Sequence, residues 1–130
     1  MAFGKVNDID DGCFYDCENH TLSNWILREL RSNHAGETGA VAIYKGILWL
    51  TLDPTVIRFA EEHLGSERRH LAAIEGILPP TKRSSLLLLW SIAGFLVGMA
   101  PAIFGPRAIY VTIEAVEQFV VRHYDSQSSV

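Results

Sequence analysis

Cysteine is almost missing from this chain: Cys13 and Cys17 are its only two. Two thiols make no disulfide framework, and C-x-x-x-C is by itself neither a zinc nor a redox signature. Incidental thiols in a reducing compartment are the expectation. A secretory signal is missing too, and Asp8, Asp10, Asp11, Asp16 and Glu18 make the N-terminus too acidic for a mitochondrial presequence. The expected setting is therefore bacterial and intracellular. No basic stripe runs through the chain, and 11 Lys and Arg against 15 Asp and Glu give a net charge of −4. A phosphate binder would carry such a stripe, so nucleic acid is excluded as a partner. Alternation of apolar and polar residues is also absent, which removes strands as the main element. A length of 130 residues suits one domain with a real core.

The most conspicuous absence is of charge between Ser84 and Phe104, a stretch with four consecutive leucines, Leu86 to Leu89. A run of about twenty such residues reaches the threshold for a bilayer span. Pro101 interrupts it, however, and Gly94 and Gly98 form a small-xxx-small face suited to close helix packing. The expectation is a helix lying in a membrane interface or lining an apolar groove. A buried core helix is the plainer alternative. Lys82 and Arg83 stand just before it and suit anionic lipid headgroups or a solvated connector equally.

What is present is helical periodicity. Residues 1–20 show none and hold several turn formers, so they read as an irregular lead-in to a helical domain over 21–130. Thr21 or Ser23 can cap a helix over about 22–50, in which Trp25, Ile26, Leu30, Val41, Tyr44 and Leu48 recur at helical spacing. Gly36, Gly39 and Gly46 weaken it and point to close approach by a neighbouring backbone or a ligand. Asp53-Pro54 starts a second helix over 54–77, with Asp as cap and Pro in the first turn, and Pro79-Pro80 forbids continuation. The third helix is expected over 84–104 and the fourth over 106–126. Short connectors make the whole an all-α up-down bundle.

Three acids fall on apolar stripes of these helices. Glu37 shares its face with Leu30, Val41 and Tyr44; Glu67 with Leu64, Leu71 and Ile74; Glu117 with Ile113, Val120, Val121 and Tyr124. A carboxylate facing a core needs its charge compensated. His70 lies three residues after Glu67, about 60° away on the same face. Single Glu residues on two helices plus Glu-x-x-His on two others form the ligand set of di-iron carboxylate bundles, and three of those four elements are here. Carboxylate oxygens with an occasional imidazole suit iron or manganese better than zinc. Solvated surface acids are the plain alternative. His34, His63 and Glu114 share faces with the three acids and are candidates for donors standing behind the ligands. His123, six residues past Glu117, is about 120° away and completes no Glu-x-x-His.

These residues carry a resemblance. Asn33-His34-Ala35-Gly36-Glu37, with Gly39-Ala40 and Ile43-Tyr44-Lys45-Gly46, resembles the first metal motif of the demethoxyubiquinone hydroxylases, di-iron monooxygenases of ubiquinone biosynthesis. Glu67-x-x-His70 falls at that family's interval, and Trp90 to Phe95 with Gly98 resembles its apolar helix. Val116-Glu117-Gln118 through His123-Tyr124 and Gln127 resembles its third metal motif. The resemblance covers about 25–127. It implies a ferritin-like antiparallel bundle holding two Fe ions, with dioxygen as co-substrate. It implies a peripheral membrane protein, on the cytoplasmic face of a bacterial inner membrane or the matrix side of the mitochondrial one, that takes a hydrophobic quinone from the bilayer. The reaction would hydroxylate the ring of a demethoxy-quinone. Glu37, Glu67, His70 and Glu117 would be the metal ligands, and Trp90, Gly94, Phe95 and Gly98 would face the quinone or the membrane.

Three departures qualify that picture. Asn33 stands where the family has Asp, and Gln118 follows Glu117 where it often has a second acid. The family's last element, a second Glu-x-x-His, would fall beyond residue 130, so two of six expected ligands lie outside this sequence. Relative to the family the bundle is short at its C-terminus. The readings open at this point are a monooxygenase completed by further sequence, a non-catalytic short paralogue that binds lipid, quinone or a biosynthetic partner protein, and a homodimer. In the dimer, two copies of Glu37 and Glu67-x-x-His70 would supply the set.

Overall fold

The computed structural model describes Tyr15–Asp16 and residues 21–128, so most of the expected lead-in over 1–20 lies outside the described residues. Two short antiparallel segments, β1 (Tyr15–Asp16) and β2 (Thr21–Leu22), pair Tyr15 with Leu22 and Asp16 with Thr21. Four helices follow: α1 (Asn24–Leu50), α2 (Pro54–Ile77), α3 (Leu87–Ala102) and α4 (Pro106–Ser128). The fold is an all-α helical bundle, as expected.

The ends follow the capping chemistry. Ser23 rather than Thr21 caps α1, its Oγ accepting from the Ile26 N–H at 3.4 Å. Asp53 Oδ1 accepts from Thr55 and Val56 at 2.9 and 3.0 Å, with Pro54 in the first turn. After Ile77 the diproline leads into a single 3₁₀ turn, Pro80–Lys82. α3 begins later than its apolar run does, because Ser84 Oγ accepts from the Leu86 N–H and holds that residue in a turn. Pro101 does not break α3; it sits in the last turn, where the Ile103 and Phe104 N–H groups bond back to Ala100 and Pro101. Gly105, at φ +95°, then takes the left-handed conformation that lets α4 start at once.

α1 is the central rod, packed most extensively against α3 and next against α2. Contacts of His34 with Glu75 and of Tyr44 with Phe59 run in opposite directions along α1 and α2, so the two are antiparallel. Between α1 and α3 the seam is backbone on backbone. A methyl group at Gly94 would strike the Gly39 carbonyl, one at Gly98 the Ile43 carbonyl, and one at Gly46 the Phe95 carbonyl. Of the three α1 glycines only Gly46 is itself closely approached; a methyl group at Gly36 or Gly39 would meet nothing among the described residues, and Gly39 contributes only the carbonyl against which Gly94 packs. The core lies where α1, α2 and α4 meet: Ile47, Val56, Ala60, Leu64, Ile109 and Ile113 are all buried. α4 leaves that core after Ile113, and Phe119, Val120, Val121 and Tyr124 are exposed.

α3 shows its apolar side chains outward. Leu88, Leu89, Ile92, Leu96 and Val97 are exposed, whereas Gly94 and Gly98 are buried against α1. Its 16 residues span about 24 Å at 1.5 Å per residue, short of the roughly 30 Å hydrocarbon core. No helix among the described residues is long and apolar enough to cross a membrane.

The glycine seam makes a two-sided prediction. Gly98→Ala should destabilise the fold by about 1–3 kcal/mol, because the Ile43 backbone cannot give way. Gly76→Ala, in open space near the end of α2, should stabilise it by about 0.5–1 kcal/mol. Urea unfolding midpoints of the two variants decide this, and a neutral Gly98→Ala would contradict the seam.

Candidate metal centre

The antiparallel register of α1 and α2 sets two acids side by side. Glu37 and Glu67 fall between the His34–Glu75 contact on one side and the stacking of Tyr44 on His63 on the other. Buried Val41 and Tyr44 flank Glu37 on its face, and buried Leu64 precedes Glu67 by one turn. The Glu37 side chain is only 13% exposed, while His70 is 57% exposed. His70 places Nδ1 3.3 Å from Glu67 Oε2 and 3.9 Å from Glu37 Oε2. One ligand atom from each of Glu37, Glu67 and His70 lies within 4.8 Å of the other two.

Glu117 enters from α4. It is not part of that converging group, but it lines the same cavity of about 730 Å³ together with Glu37, Tyr44 and Glu67. The rest of the wall is largely apolar, with Ile43, Ile113, Val116, Phe119 and Val120 among its residues. The Glu117 stripe therefore differs from its sequence reading. Ile113 is buried as expected, yet Val120, Val121 and Tyr124 line a cavity instead of a core.

The electrostatics follow from crowding two acids on a seam. Burial, then hydrogen bonding to Glu67 and the charge of Glu67, push the Glu37 carboxyl up to about 7, although His70 and Tyr124 pull the other way. Tyr124 donates its hydroxyl to Glu37 Oε1 at 3.4 Å. Burial, and next the charge of Glu37, raise the Tyr124 phenol above its ordinary value. Burial also raises Tyr44, followed by the charges of Glu117 and Glu67. Both phenols accordingly keep their protons near neutral pH. Two carboxylates and an imidazole converging at one point form a donor set that fits a divalent ion of the iron or manganese type. The fit is for three donors at one point, with Glu117 facing the same space.

The remaining sequence candidates divide. His34 turns to Glu75, with Nε2 3.0 Å from Oε1, and not to Glu37. His63 places Nδ1 2.9 Å from the Phe59 carbonyl oxygen, its ring centroid 4.1 Å from that of Phe59. Glu114 is exposed and accepts from Gln118 Nε2 at 3.5 Å, outside the cavity lining. Trp90 lines the cavity, and Phe95 meets Trp49 edge to face at 6.2 Å. Gly94 and Gly98 correct the expectation that they face quinone or membrane: with no side chain to hold α1 away, they are filled by its backbone. The roles of Tyr44, Tyr124 and Glu75 escaped the sequence reading. For the two tyrosines a signal existed, since each stands seven residues, two helical turns, after an acid of the site.

Residues 24–130 match the family described as ubiquinone biosynthesis protein COQ7. The chain is 34% identical over 105 residues to a 3-demethoxyubiquinol 3-hydroxylase of Rhodospirillum rubrum, covering 78% of this chain and 50% of that protein. It is 30% identical over 115 residues to an NADPH-dependent 3-demethoxyubiquinone 3-hydroxylase, mitochondrial, of Dictyostelium discoideum, covering 86% and 53%. The mouse protein of the same name is 29% identical over 102 residues, covering 77% and 47%. The chain thus spans about half the length of the curated relatives it matches.

The raised Glu37 carboxyl gives metal-free protein a pH signature. Its folded-state value, about 7, lies above the ordinary 4.5, so the protonated form is the one the fold favours. That stability is fully present below pH 4.5 and is lost as pH rises through 7. With solvent screening on the open side, the loss should be on the order of 1–2 kcal/mol. Glu37→Gln should melt with the wild type near pH 4.5 and above it at pH 8, measured by thermal unfolding after chelation. Equal melting temperatures at pH 8 would show that neither burial nor the neighbouring Glu67 disfavours the Glu37 charge.

Proposed function

The chain belongs to the ubiquinone biosynthesis protein COQ7 family, and from that membership we propose that it carries metal ligands of a di-iron monooxygenase that hydroxylates the ring of a demethoxy-quinone. The observation that carries this reading is the convergence of Glu37, Glu67 and His70 within 4.8 Å, with Glu37 and Glu67 lining a largely apolar cavity. In this reading Glu37, Glu67 and His70 hold iron, Glu117 joins them from α4, and the bundle is of the ferritin-like kind. When bound, two ferrous ions supply electrons to dioxygen so that one oxygen atom enters a ring C–H bond. The hydroxylase names of the relatives support the reaction class, and the NADPH dependence in two of those names supports the reductant. The balance is ring C–H, dioxygen, NADPH and a proton giving ring C–OH, water and NADP⁺.

The side chains around the site suit that chemistry. Tyr124 keeps its proton and donates to Glu37 Oε1, which fixes the rotation of that carboxylate. Tyr44, buried among His63 and Phe59, closes the inner wall without adding charge. Ile43, Val116, Phe119 and Val120 exclude water and offer apolar contact to a hydrophobic ring. The outward leucines of α3 support a peripheral position on a membrane surface, which is where a long-tailed quinone is available. The word mitochondrial in two relatives' names supports a mitochondrial location.

A second reading, quinone or lipid binding without oxygenation, is favoured by one observation: three converging donors suffice for a single ion. Anaerobic loading with ferrous iron decides between the two. The oxygenase reading expects two irons per functional unit and ring hydroxylation with NADPH and dioxygen. Glu37→Ala and Glu67→Ala should each weaken iron binding by more than about 100-fold, beyond the loss typical of outlying partners. No iron uptake by the wild type, or uptake unchanged in both variants, would end the metal reading.

A further inference from the structure

When both carry charge, Glu37 and Glu67 repel each other across the α1–α2 seam, and the hydrogen bond that they share while Glu37 keeps its proton is lost. A second, separate polar contact does lie on that seam. His34 stands one turn before Glu37, and Glu75 two turns after Glu67. His34 is 1% exposed, and its Nε2 is 3.0 Å from Glu75 Oε1. Arg83, from the connector that follows α2, brings NH1 to 3.3 Å from the same carboxylate oxygen. Thr38 Oγ1 donates to the His34 carbonyl at 2.7 Å, fastening this turn of α1 to the next. We infer that His34, Glu75 and Arg83 form a positioning strut that sets the distance between Glu37 and Glu67. The inference rests on the reading of those acids as metal ligands.

The chemistry of His34 argues for a specific task. Among the described residues its buried Nδ1 has no hydrogen-bond partner, and neither has Arg83 Nε. A buried polar atom left unpaired is costly, so a histidine kept only to fill space would be inferior to leucine or methionine at the same position. What leucine cannot supply is the Nε2 contact to Glu75. With Nε2 protonated, the ring donates to a carboxylate that Arg83 already neutralises, and the bond is charge-assisted. The strut is also well placed. Glu37 is three residues on from His34, about 4.5 Å along the helix, so a change in helix separation at the strut is passed almost whole to the acids. On the far side of the acids, Tyr44 packs on His63 and Phe59 with centroids at 5.5 and 6.3 Å. The acid pair is therefore bracketed on both sides by contacts that do not involve the metal ligands themselves.

The test uses full-length protein with His34→Leu, which fills the space but loses the bond, and His34→Gln, which keeps an amide donor. Val56→Ala is the control, since Val56 is fully buried in the core and lines no part of the site. Ferrous dissociation constants are read anaerobically beside apo unfolding midpoints. His34→Leu should weaken iron binding about 10–100-fold, the range for residues that orient ligands, and His34→Gln should recover most of it. Val56→Ala should lower the unfolding midpoint without changing the dissociation constant. A second readout needs no metal. Nitroxide labels at Arg31→Cys and Ala72→Cys, in a Cys13→Ser, Cys17→Ser background, should give a longer or broader α1–α2 distance in His34→Leu alone. If the wild type takes up no iron, the function proposed above fails while the label distances still judge the strut. Wild-type affinity and unchanged distances in His34→Leu, or equal weakening by Val56→Ala, would overturn the strut.

Discussion

The repulsion between Glu37 and Glu67 is the constraint around which this bundle is arranged. Two carboxylates on facing helices, one of them 13% exposed, would separate if the helices were free to do so. They stay together because apolar packing on α1 and α2 fixes the register. Ile47 against Val56 and Ala60 closes one end of the seam, and Tyr44, Phe59 and His63 fill the middle. The unfavourable charge is then absorbed locally, by keeping a proton on Glu37 near pH 7 and by the Tyr124 hydroxyl. In the proposed reading a divalent cation would remove the remaining tension, so that folding and metal affinity would be opposite sides of one balance.

Holding α1 rigid makes this possible, and α3 does that work. The glycines at positions 46, 94 and 98 let two backbones approach until carbonyls fill the space where methyl groups would be. Each glycine weakens its helix in isolation, so the arrangement is stable only because dispersion contacts along the seam offset that weakness. The price of the close approach is that α3 has no side chains left with which to bury its own leucines on that side. They point outward, and an apolar outer surface results from the same packing that stiffens the inner one.

Much of this was legible in the sequence, and the reason is local chemistry. Asp53-Pro54, Pro79-Pro80 and Gly105-Pro106 set helix limits that agree with the structure within a residue or two, because caps and prolines act at short range. Glu37, Glu67 and His70 were legible because an acid on an apolar stripe is anomalous on its own helix. Partnerships between helices were not. Nothing local distinguishes Glu75 from a solvated acid near a helix end; its meaning depends on His34, 41 residues away. The direction of Gly94 and Gly98 was misjudged for the same reason, since small-xxx-small spacing announces a close neighbour without saying on which side of the bundle it lies.

Glu117 shows how far the helical pattern alone can be pushed. Its stripe is as apolar as those of Glu37 and Glu67, yet α4 buries Ile109 and Ile113 while Phe119, Val120, Val121 and Tyr124 on its later turns are exposed. A stripe that is half core and half cavity wall has the same sequence signature as one that is all core. The difference has chemical consequences. An acid pinned on a closed seam, like Glu37, is held in position whether or not a cation is present. An acid on the open half of α4 faces the site across free space, and its carboxylate can swing toward or away from the other three groups. In the proposed reading the two kinds of acid would divide the work, Glu37 and Glu67 as donors held on the α1–α2 seam and Glu117 as an adjustable one on α4 beside the apolar wall.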